Sequence, residues 1–137
     1  MLRVMLDTNI LISALFYPSV TTGKFFEVLL TDHRAILCNY VIAELRRVAR
    51  EKFSQRAAAV DVFLEDFPHD TVKTPKTWDA SLVPAIRDEK DAAILATAIL
   101  EKADIIVTGD KDFLVLDIPQ PRIMTMAEFI TIYDSRS

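Results

Sequence analysis

Four acidic residues stand where a folded chain could gather them. Asp7 directly follows the apolar run "RVML" (3–6), and Asp110 follows "IIVTG" (105–109). Glu44 and Asp91 lie near the starts of two segments with helical patterning. Each has an ordinary explanation alone. Asp7 can cap a short helix near Ile10–Leu15, with Asn9 and Ser13 as polar neighbours. Asp91 can complete a capping box with Asp88 in a turn where the helix dipole favours negative charge. Glu44, on a stripe with Val41 and Val48 and flanked by Leu45, can pack its stem and hold its head in water. Asp112 can point back at the turn of Asp110 or cap a helical turn at Phe113. Together the four read differently. Carboxylates at close range repel, and some stay protonated unless a cation compensates them. Mg²⁺ and Mn²⁺ favour oxygen ligands, and no Cys/His cluster suggests zinc. An acidic Mg²⁺ or Mn²⁺ site, with one or two ions, suits phosphoryl chemistry.

The rest of the composition narrows the field. The net charge is −4, which argues against coating nucleic acid through bulk positive charge. It leaves room for a local basic lip. The two glycines, Gly23 and Gly109, stand far apart, so neither a GxGxxG loop nor a P-loop is present. The one cysteine, Cys38, ends an apolar run and reads as a buried strand residue, with no internal disulfide to form. His33 and His69 read as surface histidines. No apolar run is long enough to span a bilayer, and "MLRVMLDTN" reads as a first core strand rather than an export signal. The expectation is a cytoplasmic protein with no membrane association.

Positioning the acids requires an alternating fold. Strands are predicted at 3–6, 35–38, 71–74, 105–108 and 122–125. Helices are predicted near Ile10–Leu15, over 22–32, over 40–52 with Asn39 as cap, from a Ser54 cap to about Phe67, over "DEKDAAILATAILEKA", and over "MAEFITIYD". The stretch from Pro75 to Pro84, with Trp78, reads as a loop. Strands separated by helices imply parallel pairing and right-handed crossovers. Short continuous apolar strands such as "IIV" fit a sheet covered on both faces. The fold class is α/β, a three-layer α/β/α sandwich with a central parallel sheet, in a single domain over 1–137. Reactive sites in such folds lie beyond the carboxyl ends of the strands. Gly109 is expected to permit a sharp bend there and deliver Asp110 towards the other acids.

"MLDTNILISAL", "VIAELRRV", "RDEKDAAILATAI" and "ADIIVTGDKDFL" follow one another in the order seen in PIN-domain ribonucleases. The chain resembles that family from Leu2 to about Phe129, and most nearly its VapC-like members, the toxins of toxin–antitoxin pairs. The resemblance implies about five parallel strands and a Mg²⁺- or Mn²⁺-dependent endoribonuclease. It implies phosphodiester hydrolysis by a metal-activated water, without a covalent enzyme intermediate. Asp7 of "DTN", Asp91 of "EKDAAILATA" and Asp110 of "TGDKDF" would then hold metal. Glu44 of "AEL" would hold a second ion or position and deprotonate water. Thr8, Asn9, Ser13 and Thr108 would orient these acids, with Asp112 supporting or occasionally ligating. RNA is the implied substrate, and an antitoxin and a homodimer or higher homo-oligomer are the implied assemblies.

Arg46, Arg47, Arg50 and Lys52 give a basic helix surface just after Glu44, and Lys111 and Arg87 flank other acids. Arg46, Arg47, Arg50 and Lys111 are candidate RNA contacts, although a solvated helix face explains the arginines equally. Two alternatives remain. A domain that binds RNA or protein without catalysis would use the acids only as caps. A haloacid-dehalogenase-type phosphatase also places an Asp after its first strand, but usually carries a second acid two residues on, where this chain has Asn9.

Overall fold

The computed structural model describes residues 1–135. Five strands form one parallel sheet: β1 (Arg3–Leu6), β2 (Arg34–Cys38), β3 (Asp70–Val72), β4 (Ile105–Val107) and β5 (Arg122–Met124), in the order β3-β2-β1-β4-β5. The helices are α1 (Thr8–Phe16), α2 (Val20–Asp32), α3 (Asn39–Lys52), α4 (Ala58–Asp66), α5 (Glu89–Leu100), α6 (Lys111–Leu114) and α7 (Met126–Tyr133). The expected three-layer α/β/α sandwich is the architecture found. Val4–Leu6, Ala35–Cys38 and Ile105–Val107 are buried throughout, as the two-sided covering of a parallel sheet demands. No helix among the described residues is long and apolar enough to cross a membrane.

Chain order and strand order part company at one place. The chain moves outward from β1 to β2 to β3, then crosses back so that β4 pairs with the other side of β1. The order reverses between β1 and β4, and α/β folds place ligands beyond the carboxyl ends of the strands at such a point. The register aligns Leu6 with Val107, so the residues leaving the two strands are neighbours.

Several boundaries move for identifiable reasons. α2 begins at Val20, two residues early, because the Ser19 side chain accepts from the Thr22 amide at 3.1 Å. Asn39 is not a cap. It is the first residue of α3, and its side chain accepts from the Thr74 amide at 2.6 Å, tying the chain after β3 to the helix start. Ser54 makes no capping bond either; a 3₁₀ turn (Ser54–Arg56) precedes α4. The loop expected at 75–84 runs over 73–88, and buried Val83 and half-buried Trp78 anchor it to the core. α7 carries a full capping box, in which Thr125 accepts from the Glu128 amide and Glu128 accepts from the Thr125 amide. His33 and His69 are half-buried rather than on the surface. His33 Nδ1 accepts from the Leu2 amide, and His69 Nδ1 donates to the Phe67 carbonyl.

Helix α2 packs against α7 through Phe25 and Phe129, two fully buried rings meeting edge to face with centroids 5.3 Å apart. Phe25→Ala should cost about 3–5 kcal/mol, because the vacated ring volume cannot collapse between two helices. Val62→Ala, at an exposed position, should stay within about 0.5 kcal/mol of the parent. Urea denaturation midpoints compare the two.

Candidate metal centre

The centre is built outward from the β1–β4 pair. Asp7 ends β1 and caps α1, its Oδ1 accepting from the Ile10 amide at 3.1 Å. Its other oxygen, Oδ2, accepts from the hydroxyl of Thr108, the residue that ends β4. Both side chains are buried, Asp7 to 4% exposure and Thr108 to 0%. The same Thr108 hydroxyl accepts from the Asp110 amide at 3.0 Å. One threonine therefore sets both the orientation of Asp7 and the path of the chain to Asp110.

Asp110 caps the four-residue helix α6, its Oδ1 accepting from the Asp112 amide at 2.8 Å. Asp112 does not cap that turn, as one reading of the sequence had it. Gly109 is not what makes the bend. It has no positive φ, and a Cβ at that position would meet nothing within 4 Å. The turn is held by Thr108 and Asp110 instead.

Asp91 lies in the first turn of α5, behind the Asp88 cap. Asp88 accepts from the Lys90 amide at 2.9 Å, and Asp91 turns towards Asp110, so the expected box between Asp88 and Asp91 does not form. Carboxylate oxygens of Asp91, Asp110 and Asp112 lie within 4.8 Å of one another. An octahedral Mg²⁺ with oxygens near 2.1 Å separates opposite ligands by about 4.2 Å. The spacing is thus within a small side-chain adjustment of a cation's. Arg87, almost wholly exposed, reaches Asp112 at 3.4 Å.

Glu44 is not part of this group. The buried stripe of α3 is Val41, Leu45 and Ala49, which leaves Glu44 and Val48 half-buried beside it rather than on it. Glu44 Oε2 accepts from the Tyr40 hydroxyl at 3.1 Å, with Lys90 and Arg47 each 3.9 Å away. Tyr40 and Lys90 escaped the sequence reading. Tyr40 precedes Glu44 by one helical turn, and Lys90 precedes Asp91, so spacing alone could have raised both.

Of the remaining candidates, Thr8 is buried, Ser13 half-buried and Asn9 exposed. Thr8 Oγ1 is a buried oxygen with no hydrogen-bond partner among the protein atoms, next to Asp7 in the chain. Arg46 pairs with Asp61 at 3.2 Å and Arg47 with Glu51 at 2.9 Å, whereas Arg50 and Lys111 are exposed with no ion pair among the described residues.

The electrostatics agree with the geometry. Burial pushes Asp7 up to about 6, against the hydrogen bonds from Thr108 and Ile10, with the Asp110 charge adding to the rise. Burial, the hydrogen bond to Asp110 and the charges of Asp110, Asp88 and Asp7 push Asp91 up to about 7. Burial and the neighbouring Glu44 push Tyr40 up to about 12, so it remains a hydroxyl donor. Two carboxyls near neutrality beside a third are a site short of positive charge. Oxygen-only donors, a spacing near that of a hard cation and an unsatisfied buried hydroxyl all fit a Mg²⁺- or Mn²⁺-sized ion.

The sequence profile of the PIN domain matches residues 3–112. The chain belongs to the PIN domain family. Its haloacid-dehalogenase alternative falls with that assignment. Two solved structures share the PIN fold. One is VapBC2 from Rickettsia felis, bound to a DNA fragment from its promoter, with TM-score 0.70 and 22% identity, covering 89% of this chain and 96% of the other. The other is VapC20 of Mycobacterium tuberculosis, a toxin that cleaves the sarcin–ricin loop, with TM-score 0.58 and 14% identity, covering 81% of this chain and 92% of that one. Comparison with curated protein sequences gives no match.

The raised carboxyls carry a stability signature. In the unfolded PIN domain Asp7 titrates near 3.9, below its folded value. Between about pH 4 and 6 the folded state binds more protons at this position, so stability falls as pH rises through that window and the loss is complete above it. With a chelator present, Asp7→Asn should be more stable than the parent at pH 7.5 by about 1–3 kcal/mol, and the difference should vanish below about pH 4. Mn²⁺ should raise the denaturation midpoint of the parent more than that of the variant.

Proposed function

We propose that this PIN domain is a divalent-cation-dependent endoribonuclease and the toxin of a toxin–antitoxin pair. The observation that carries the first part is the meeting of Asp91, Asp110 and Asp112 beside Asp7 at the point where the strand order reverses. Residues that served only as helix caps would not need to converge, nor hold protons near neutral pH.

Asp7, Asp91 and Asp110 would hold Mg²⁺ or Mn²⁺, with Asp112 as a further ligand on the strength of its position in the group. A cation held there supplies positive charge to a phosphate oxygen and makes water a better nucleophile at neutral pH. The chain's own residues do the rest. Thr108 and the Ile10 amide fix both oxygens of Asp7, so this carboxylate needs no reorganisation when substrate arrives. Asp110 is held by the Asp112 amide. Thr8, Asn9 and Ser13 line the start of α1 beside Asp7, with Thr8 offering its hydroxyl. Glu44 lies outside the three-carboxylate group, and we assign it to orienting and deprotonating the attacking water. The Tyr40 hydroxyl keeps Glu44 Oε2 in place and stays protonated while it does so. Lys90, Arg87 and Lys111 stand around the acids as cations for the phosphates on either side of the scissile bond. Arg50, exposed along α3, extends that basic edge, with Arg46 and Arg47 drawn partly into ion pairs.

The toxin reading is supported by the fold shared with VapBC2 and VapC20 and by the resemblance of the motifs around Asp7, Glu44, Asp91 and Asp110 to those of VapC-like chains. It brings with it RNA as substrate, an antitoxin as partner and self-association of the chain.

Asp7→Asn should lower Mn²⁺- or Mg²⁺-dependent cleavage of single-stranded RNA by at least about a hundredfold, or about 2.7 kcal/mol of transition-state stabilisation, with an unchanged circular dichroism spectrum. Wild-type protein that binds no divalent ion by calorimetry and cuts no RNA would favour a non-catalytic RNA- or protein-binding domain. Expression should arrest growth, and Asp91→Asn should relieve the arrest. Arrest that persists in that variant has a cause outside the carboxylate centre.

A further inference from the structure

The ends of α1 and α3 meet away from the carboxylates, and their chemistry is different. Phe16 and Phe53 stack with centroids 4.1 Å apart and planes 2° from parallel, and Tyr17 meets Phe53 edge to face at 5.7 Å. Phe16 is buried and belongs to the core, but Tyr17 is 64% exposed. The Arg56 guanidinium lies 5.0 Å from the Phe16 ring centre and 5.4 Å from that of Phe53. Beside it is an open cleft of about 320 Å³, lined by residues 52–56.

Charge singles out the same place. In a protein of net charge −4, residues 46–56 carry five cations and one acid. Arg46 and Arg47 are drawn into ion pairs with Asp61 and Glu51. Arg50, Lys52 and Arg56 have no ion pair among the described residues. A cation held against aromatic rings with no ion pair among the described residues, next to an exposed tyrosine, combines a stacking plane with a phosphate partner. Sealing the core accounts for Phe16 and Phe53. It does not account for the exposed tyrosine or the unpaired cations.

We propose that Tyr17, Phe53 and Arg56 form a stacking subsite for an unpaired base of single-stranded RNA, with Lys52 and Arg50 on the adjoining phosphates. The proposal rests on RNA being the substrate. Nine residues of α3 separate Glu44 from Phe53, about 14 Å at 1.5 Å per residue. At 3.4 Å per stacked nucleotide, that is about four nucleotides from Glu44. The subsite therefore acts on longer RNA and not on fragments that reach only the scissile bond.

The test is fluorescence anisotropy with a labelled, uncleavable 2′-O-methyl decanucleotide in chelator. Tyr17→Leu keeps an apolar contact for Phe53, and Arg56→Gln keeps a polar stem; denaturation midpoints show that both fold. Decanucleotide affinity should fall about ten- to a hundredfold in the double variant, with a shallower salt dependence. Unchanged decanucleotide affinity overturns the subsite and leaves the surface to a protein partner. Because neither metal nor cleavage enters the measurement, the two readings fail separately. Loss of binding in the variant alongside an inert wild type refutes only the ribonuclease reading. Equal binding alongside cleavage by wild type refutes only the subsite.

Discussion

The Thr108 hydroxyl is the joint on which the centre turns. It donates to Asp7 across the β1–β4 pair and accepts from the amide of Asp110 in its own loop. Those two acids are separated by more than a hundred residues of chain, and the strand register makes them neighbours. The contact is buried, so its geometry is not averaged by solvent, and a partner lost there leaves a polar group unsatisfied in the core. Asp91 arrives by another route, at the exposed end of a helix whose residues Ile94–Ala98 are all buried. A helix enclosed on every side has one seating, and that seating determines where its first-turn acid stands.

The architecture was readable because its signal is hydrophobic burial. Continuous apolar strands and long helical stripes leave little choice of class, and β1, β2, β4 and α5 fall within a residue or a few of expectation. The places of Asp7 and Asp110 were readable for a related reason, since each follows a core strand of a parallel sheet. Side-chain hydrogen bonds were not readable. Asn39 and Ser54 have the chemistry of caps, yet one reaches across to Thr74 and the other makes no capping bond. Such choices are settled by tertiary neighbours that local sequence does not contain. The same limit applies to Glu44. Helical spacing put it on the α3 stripe with Val48, but the packing angle of the helix selects Val41, Leu45 and Ala49 instead. Spacing also left open whether Asp112 points back at the turn of Asp110 or caps the turn at Phe113; in the structure Asp110 is the cap.

Two sets of cations differ in what they meet. Lys90, Arg87 and Arg47 lean on acids of the centre and partly compensate it. Arg50, Lys52 and Arg56 are exposed, with no ion pair among the described residues. A net negative protein thus carries a basic margin along one helix, without the bulk charge that would make it bind nucleic acid indiscriminately.

Gly109 acquires a different meaning once its backbone is known. It occupies an ordinary conformation, and the direction its Cβ would take is open. Position 109 is therefore an attachment point one residue from Asp110, with open space for a Cβ. The only native thiol, Cys38, is fully buried. A cysteine placed at 109 would be the single reactive sulfur on the surface, and a dye or spin label attached there would report directly on whatever enters the mouth of the centre.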